Sequence, residues 1–237
     1  MLEARKLTKR YGPALALDQL DLVVPAGEVF CLLGPNGAGK TTTVNLFLDF
    51  ISPTSGQALV CGIDAAQHPQ QARQLLAYIP ETVTLYPSLT GLENLDYFGR
   101  LSDGRVRGGD EGLALLAQAG LDATRASQRV VGYSKGMRQK VGIAIALARR
   151  AKALLLDEPT SGLDPRAANE FAAAIDGLRR QGVAVLMVTH DLFLARQCAT
   201  RVGIMQRGRL VHVLDAASVD HVQLERIYLD PDMEATA

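Results

Sequence analysis

The sequence predicts an α/β fold: a mostly parallel sheet with an N-terminal antiparallel β subdomain and an inserted α-helical subdomain. Continuous apolar runs at Val29 to Leu33, Ala153 to Leu156 and Val183 to Val188 suit strands buried on both faces, as parallel strands are. The first run leads into the glycine-rich stretch Gly34-Pro35-Asn36-Gly37-Ala38-Gly39-Lys40-Thr41 and then a helix-compatible Thr42 to Phe50. From about Glu81 to Ala148 the pattern turns helical, interrupting the α/β alternation.

Taken in order, Leu2 to Tyr11 and Leu17 to Val24 alternate in part, and Pro25-Ala26-Gly27 breaks the second run, so both read as antiparallel strands. Ser52 to Gly56 is a turn, Gln57 to Cys61 a strand, and Pro69 to Leu76 a helix leading into Ala77-Tyr78-Ile79-Pro80. The helical insertion carries Leu92, Leu95, Tyr97 and Phe98, then Leu113, Leu115 and Leu116, with a loop at Ser102 to Gly109. Ser134 caps a helix through Ala148, and Asp164-Pro165 opens another that stops near Gly182. Val202 to Met205 and Leu210 to Leu214 form a hairpin across Arg207-Gly208, Ala217 to Tyr228 a closing helix, and Pro231 to Ala237 a frayed end. The chain divides as one unit, 1–237, with a core from 1–80 and 149–237 and the helical subdomain at 81–148.

Gly34 to Thr41 reads Gly-x-x-x-x-Gly-Lys-Thr, the loop that cradles a nucleotide triphosphate, so the core is that of a P-loop NTPase. Holding several phosphate charges requires backbone N–H groups converging at a helix N-terminus, and glycines let them approach. Lys40 would reach the β- and γ-phosphates, and the Thr41 hydroxyl would ligate Mg²⁺. Such a pattern arises by chance in a chain of this length on the order of once in a hundred. Its position between a buried strand and a helix lowers those odds further.

Two acids, Asp157 and Glu158, end the strand Ala153 to Leu156, and Thr189-His190-Asp191 ends Val183 to Val188. Ligands in open α/β sheets sit beyond such carboxyl ends. Asp157 can hold the Mg²⁺ shell and Glu158 can polarise an attacking water as general base, while His190 can reach the γ-phosphate. Cys31, Cys61 and Cys198 read as reduced core residues, and His68, His212 and His221 lack metal-ligand spacing. Lys plus Arg and Asp plus Glu both count 25, which offers no electrostatic case for nucleic acid. No stretch approaches a membrane span, and Met1 to Lys9 lacks a signal peptide's apolar middle, so a cytosolic chain is expected.

These motifs together resemble the ATP-binding subunits of ATP-binding-cassette transporters over nearly the whole chain. Gly34 to Thr41 matches that family's P-loop, Leu154 to Glu158 its Walker B strand, Ser161-Gly162-Leu163-Asp164 its D-loop and His190 its switch histidine. Tyr133-Ser134-Lys135-Gly136-Met137 occupies the signature position. The resemblance implies ATP and Mg²⁺ as cofactors, with nucleotide contacts from Tyr11, Gly34, Pro35, Asn36, Gly37, Ala38, Gly39, Lys40, Thr41, Thr42, Glu81, Ser134, Gly136 and Asp164. Thr41, Glu81 and Asp157 are the metal candidates, and Glu158, His190 and Lys40 the catalytic ones. It also implies a head-to-tail dimer, of two copies or with a related ATPase subunit, in which Ser134 and Gly136 contact the ATP on the partner's P-loop. Closure on ATP would drive separate transmembrane permease subunits from the cytoplasmic face of the inner or plasma membrane.

The chain departs from the family's common Leu-Ser-Gly-Gly-Gln at Tyr133, Lys135 and Met137, and Glu81 stands where most members have Gln. Glu81 keeps an oxygen for Mg²⁺ and loses the amide donor. These variants are similar to the export branch that serves multidrug, polysaccharide and related exporters, including the copper-processing ATPases of nitrous oxide reductase maturation. The competing reading is a soluble cassette ATPase acting on nucleic acid or ribosomes, which the neutral charge disfavours. A small-molecule P-loop kinase would leave Ser134-Lys135-Gly136 and His190 without a purpose.

Overall fold

The computed structural model describes residues 1–230, together with all but the Asp103 side chain within them; the expected frayed end, Pro231 to Ala237, lies outside the described residues. Two sheets organise the chain. Strands β1 (Leu2–Tyr11), β2 (Ala14–Val24), β4 (Ser55–Val60) and β5 (Ile63–Asp64) form an antiparallel sheet in the order β2-β1-β4-β5. Strands β3 (Val29–Leu33), β6 (Leu76–Ile79), β7 (Ala153–Asp157), β8 (Ala184–Thr189), β9 (Arg201–Gln206) and β10 (Arg209–Asp215) form the second, in the order β10-β9-β3-β8-β7-β6. All neighbours in it are parallel except the β9–β10 hairpin.

The apolar runs behave as their composition requires. All five residues of β3 and all six of β8 are buried, so each face needs a cover. One face packs with Val44, Leu46 and Phe47 of α1 (Lys40–Phe47) and the inner side of the antiparallel sheet. The other packs with α6 (Lys135–Ala148), α7 (Pro165–Arg180) and α8 (Leu192–Cys198), through residues such as Val141, Phe171, Ile175 and Leu194. Each large side chain so buried contributes about 1.5–3 kcal/mol of transfer free energy. Helices α3 (Gly91–Asp103), α4 (Gly109–Gln118) and α5 (Ala123–Ala126) lie between β6 and β7 in the chain, and their Leu95, Leu116 and Ala126 join this second cluster.

Several boundaries move for local reasons. Helix α1 starts at Lys40, since Gly39 adopts a left-handed φ of 109° as its N-cap, and Asp49 at φ 56° marks its end before Phe50. The stretch 81–90 is not helical; α3 waits for the capping box in which the Thr90 hydroxyl accepts from Glu93 N and Glu93 accepts from Thr90 N. The closing helix α9 runs His221–Leu229 rather than from Ala217, because Asp220 and Gln223 form a second capping box. Tyr11 is the last residue of β1, as expected, and α2 (Pro69–Leu75) ends one residue early, because Leu76 already opens β6.

Candidate nucleotide and metal site

A cleft of about 390 Å³ opens at the carboxyl end of the parallel sheet, lined by Ala16, Asn36, Gly37, Gly39, Lys40, Thr41, Thr42, Glu81, Asp157 and Glu158. The loop after β3 reaches this place through close backbone packing. A β-carbon on Gly34 would meet Met205 O at 2.4 Å, and one on Gly39 would meet Ala16 O at 2.7 Å on top of its positive φ. Gly34, Pro35 and Ala38 do not line the cleft; they shape the turn, with Ala38 N donating to Pro35 O and Gly208 N donating to Ala38 O.

Lys40 is buried, and its ammonium donates to Gly34 O at 2.6 Å and Pro35 O at 3.1 Å. Burial lowers its pKa, and the carboxylates of Glu158 and Asp157 offset that. Asp157 shifts the other way: burial, Glu158 and then Glu81 raise it, while Lys40 and a hydrogen bond with Tyr78 counteract them. Three acids from two separate segments thus face one cleft, and a cation there would relieve their repulsion.

The donors that could hold that cation are oxygens, from the Thr41 hydroxyl and the Glu81 and Asp157 carboxylates. This set suits a hard ion such as Mg²⁺, which takes one or two side chains and completes its shell with water and phosphate. Lys40, Thr41, Glu81 and Asp157 line the same cleft, so the donors stand beside the phosphate-binding loop. The residues therefore fit the group.

Glu158 sits at φ 45°, a strained conformation for a residue with a side chain, held by a hydrogen bond from its N to Val188 O at 2.9 Å. Its Oε2 accepts from Thr189 Oγ1 at 3.1 Å, and its Oε1 lies 2.9 Å from His190 Nδ1. Adjacent strands β7 and β8 create this pairing: Asp157, the last residue of β7, is in register with Val188, so Glu158 emerges beside Thr189 and His190.

The remaining expected residues lie elsewhere. Ser134 caps α6, accepting from Met137 N at 3.3 Å, and Asp164 caps α7, accepting from Ala167 N at 2.9 Å. Gly136 is buried against α7, where an added β-carbon would stand 3.2 Å from Ala167 Cβ. None of the three lines the cleft. Tyr11 is exposed, with Lys9 Nζ 5.0 Å from its ring centre, and does not line it either. Sequence reasoning missed Ala16, Tyr78, Thr189 and Gln139. Only strand register brings Tyr78 to Asp157. Gln139 is buried and donates to Pro80 O at 3.3 Å and Glu81 O at 3.1 Å, a link between α6 and the Glu81 segment that needs the tertiary fold.

Residues 17–161 match the family model described as ABC transporter, and the chain belongs to that family. It is 38% identical over 211 residues to the probable multidrug ABC transporter ATP-binding protein YbhF of Escherichia coli (strain K12), covering 89% of this chain and 36% of the relative. It is 36% identical over 214 residues to the Nod factor export ATP-binding protein I of Cupriavidus metallidurans (strain ATCC 43123 / DSM 2839 / NBRC 102507 / CH34), covering 89% of this chain and 70% of the relative. The chain thus spans little more than a third of the first relative's length. Among solved structures it resembles the ATP-binding cassette MJ0796 in a dimeric post-hydrolysis state bound to ADP and Pi, with 27% identity, a TM-score of 0.77 and coverage of 91% of this chain and 99% of that one. Among the described residues no helix is long and apolar enough to cross a membrane.

Proposed function

We propose that this chain is the ATP-binding and ATP-hydrolysing subunit of an export-type transporter, attached to the cytoplasmic face of the membrane through separate permease subunits. The observation that carries the reading is the convergence of Lys40, Thr41, Asp157 and Glu158 in one cleft at the end of the parallel sheet. The export-related names of its relatives support the direction of transport.

In this reading the N–H groups of the loop 34–41 and the first turn of α1 hold the phosphates, with Lys40 supplying the positive charge. Mg²⁺, when bound, would neutralise charge on the β- and γ-phosphates. Thr41, Asp157 and Glu81 would hold it, and Glu158, oriented by Thr189 and His190, would accept the proton of the attacking water. Tyr11, exposed outside the cleft, is available to stack on the nucleotide base. The core at 1–80 and 149–237 carries this half of the chemistry apart from Glu81, and the insertion at 81–148 carries Glu81, Ser134 and Gly136. Their position away from the cleft supports a head-to-tail dimer in which, with Asp164, they meet the nucleotide of a second cassette.

The test is an affinity pull-down from detergent-solubilised membranes, using Glu158→Gln and ATP. A permease co-purifying with the chain is the expected result. Recovery of only soluble partners or nucleic acid would overturn the transport reading.

A further inference from the structure

The N-terminus of α6 carries a local inconsistency. Lys135 is its first helical residue, so a cation sits at the positive end of the helix dipole, and the first turn contains no acid to offset it. The offset comes from outside the helix: Lys135 Nζ lies 3.7 Å from Glu81 Oε1. Glu81 also lines the cleft and faces Asp157, whose charge repels it. One turn along the same helix, Gln139 holds the backbone of the same segment through Pro80 O and Glu81 O. Gly142 continues this face, where a β-carbon would stand only 3.5 Å from Ile79 and 3.4 Å from Val83. The main chain at Glu81 is therefore clasped by α6, while the Glu81 side chain, half exposed, is free to choose between two positive partners.

We propose that Lys135 is a positioning residue, the resident counter-ion of Glu81, which competes with the divalent cation for the Glu81 carboxylate and releases it when the cation site fills. This rests on the nucleotide and metal reading above. It gives the paired departures at 81 and 135 one physical purpose: an acid at 81 adds a third carboxylate to the cleft, and a lysine at 135 neutralises it until a cation arrives. It also makes the charge state at the start of α6 depend on occupancy of the cleft.

The measured quantity is the ratio of fluorescent ATP-analogue affinity with saturating Mg²⁺ to that in EDTA, at low salt, for the parent chain, Lys135→Ala, Glu81→Gln and the double variant. The pair is partly exposed, with 32% of the Lys135 side chain and 54% of the Glu81 side chain accessible, which limits the effect to about two- to fivefold. Lys135→Ala should raise the ratio by that factor in the parent background and leave it unchanged in the Glu81→Gln background, while Lys135→Arg should behave as the parent. No increase with Lys135→Ala, or an equal increase in both backgrounds, overturns the competition. A parent chain showing no Mg²⁺-dependent nucleotide binding overturns the nucleotide reading itself, and this inference with it.

Discussion

The proposed chemistry of the site turns on one side chain, Glu158. Its backbone is strained at φ 45°, and its two oxygens are held by different residues of the neighbouring strand end, Thr189 and His190. Strain of this kind costs roughly 1–3 kcal/mol and survives only where surrounding contacts hold it, here the Val188 carbonyl and the β8 end. A carboxylate so oriented can take a proton from water, whereas an amide cannot. Glu158→Gln should therefore keep ATP affinity within a few-fold while phosphate release falls by about 100-fold or more. Single-turnover phosphate release beside equilibrium nucleotide binding checks this, and a variant retaining parent-like turnover would remove Glu158 from the base role.

Among the elements, α3 and α6 are tied together at their ends away from the cleft. Asp96 accepts from Arg100 Nε at 2.8 Å and from Arg107 N at 2.7 Å, and the buried Arg107 guanidinium donates to Ala148 O, the last carbonyl of α6, at 2.8 and 3.1 Å. A cation at a helix C-terminus is the favourable pairing that Lys135 lacks at the N-terminus. The hydrogen bond from Arg100 and the backbone hydrogen bond from Arg107 hold the Asp96 carboxyl below its ordinary value, against the burial that raises it. A carboxylate depressed in the fold contributes stability that is fully present above its unfolded pKa, near 4, and lost as pH falls through the lower folded value. Asp96→Asn should lower stability at neutral pH by on the order of 1 kcal/mol, or about 2–4 °C in melting temperature for a chain of this size. The difference between parent and variant should shrink below pH 4, which thermal melts across pH 3–7 would measure; a constant difference would show that the charge is not what matters.

At the scale of the whole molecule, two capped helix ends, Ser134 on α6 and Asp164 on α7, flank the packed contact between Gly136 and Ala167 and leave the cleft to other residues. In the proposed reading a second cassette completes the site, and ligands shared between two chains make association depend on nucleotide by mass action. The Glu158→Gln variant should shift from monomer to dimer on adding ATP and Mg²⁺, as read by light scattering after size exclusion. Lys40→Ala, deprived of phosphate charge compensation, should stay monomeric under the same conditions. A dimer unaffected by nucleotide, or formed equally by Lys40→Ala, would argue against shared ATP as the link.

The sequence alone determined the parallel sheet and the phosphate loop, because both are local patterns. Five or six consecutive apolar residues cannot be half exposed, and the Gly34 to Thr41 spacing has few purposes besides phosphate binding. It also placed Asp157, Glu158 and His190 at strand ends, where ligands of such sheets sit. Helix starts were legible where one cap residue announces them, as at Ser134 and Asp164, and blurred at Glu81 to Thr90, where only the reciprocal pairing of Thr90 and Glu93 marks the start of α3. Helix α8 left no signal clear enough to read, since it spans only seven residues behind the Asp191 cap. Tertiary structure alone decided who meets whom: Tyr78 with Asp157, His190 with Glu158, Gln139 and Lys135 with the Glu81 segment. Those partners are 32 to 79 residues apart in the chain, and register between strands and the packing of α6 on the sheet, neither of them encoded by neighbours in sequence, set the distances between them.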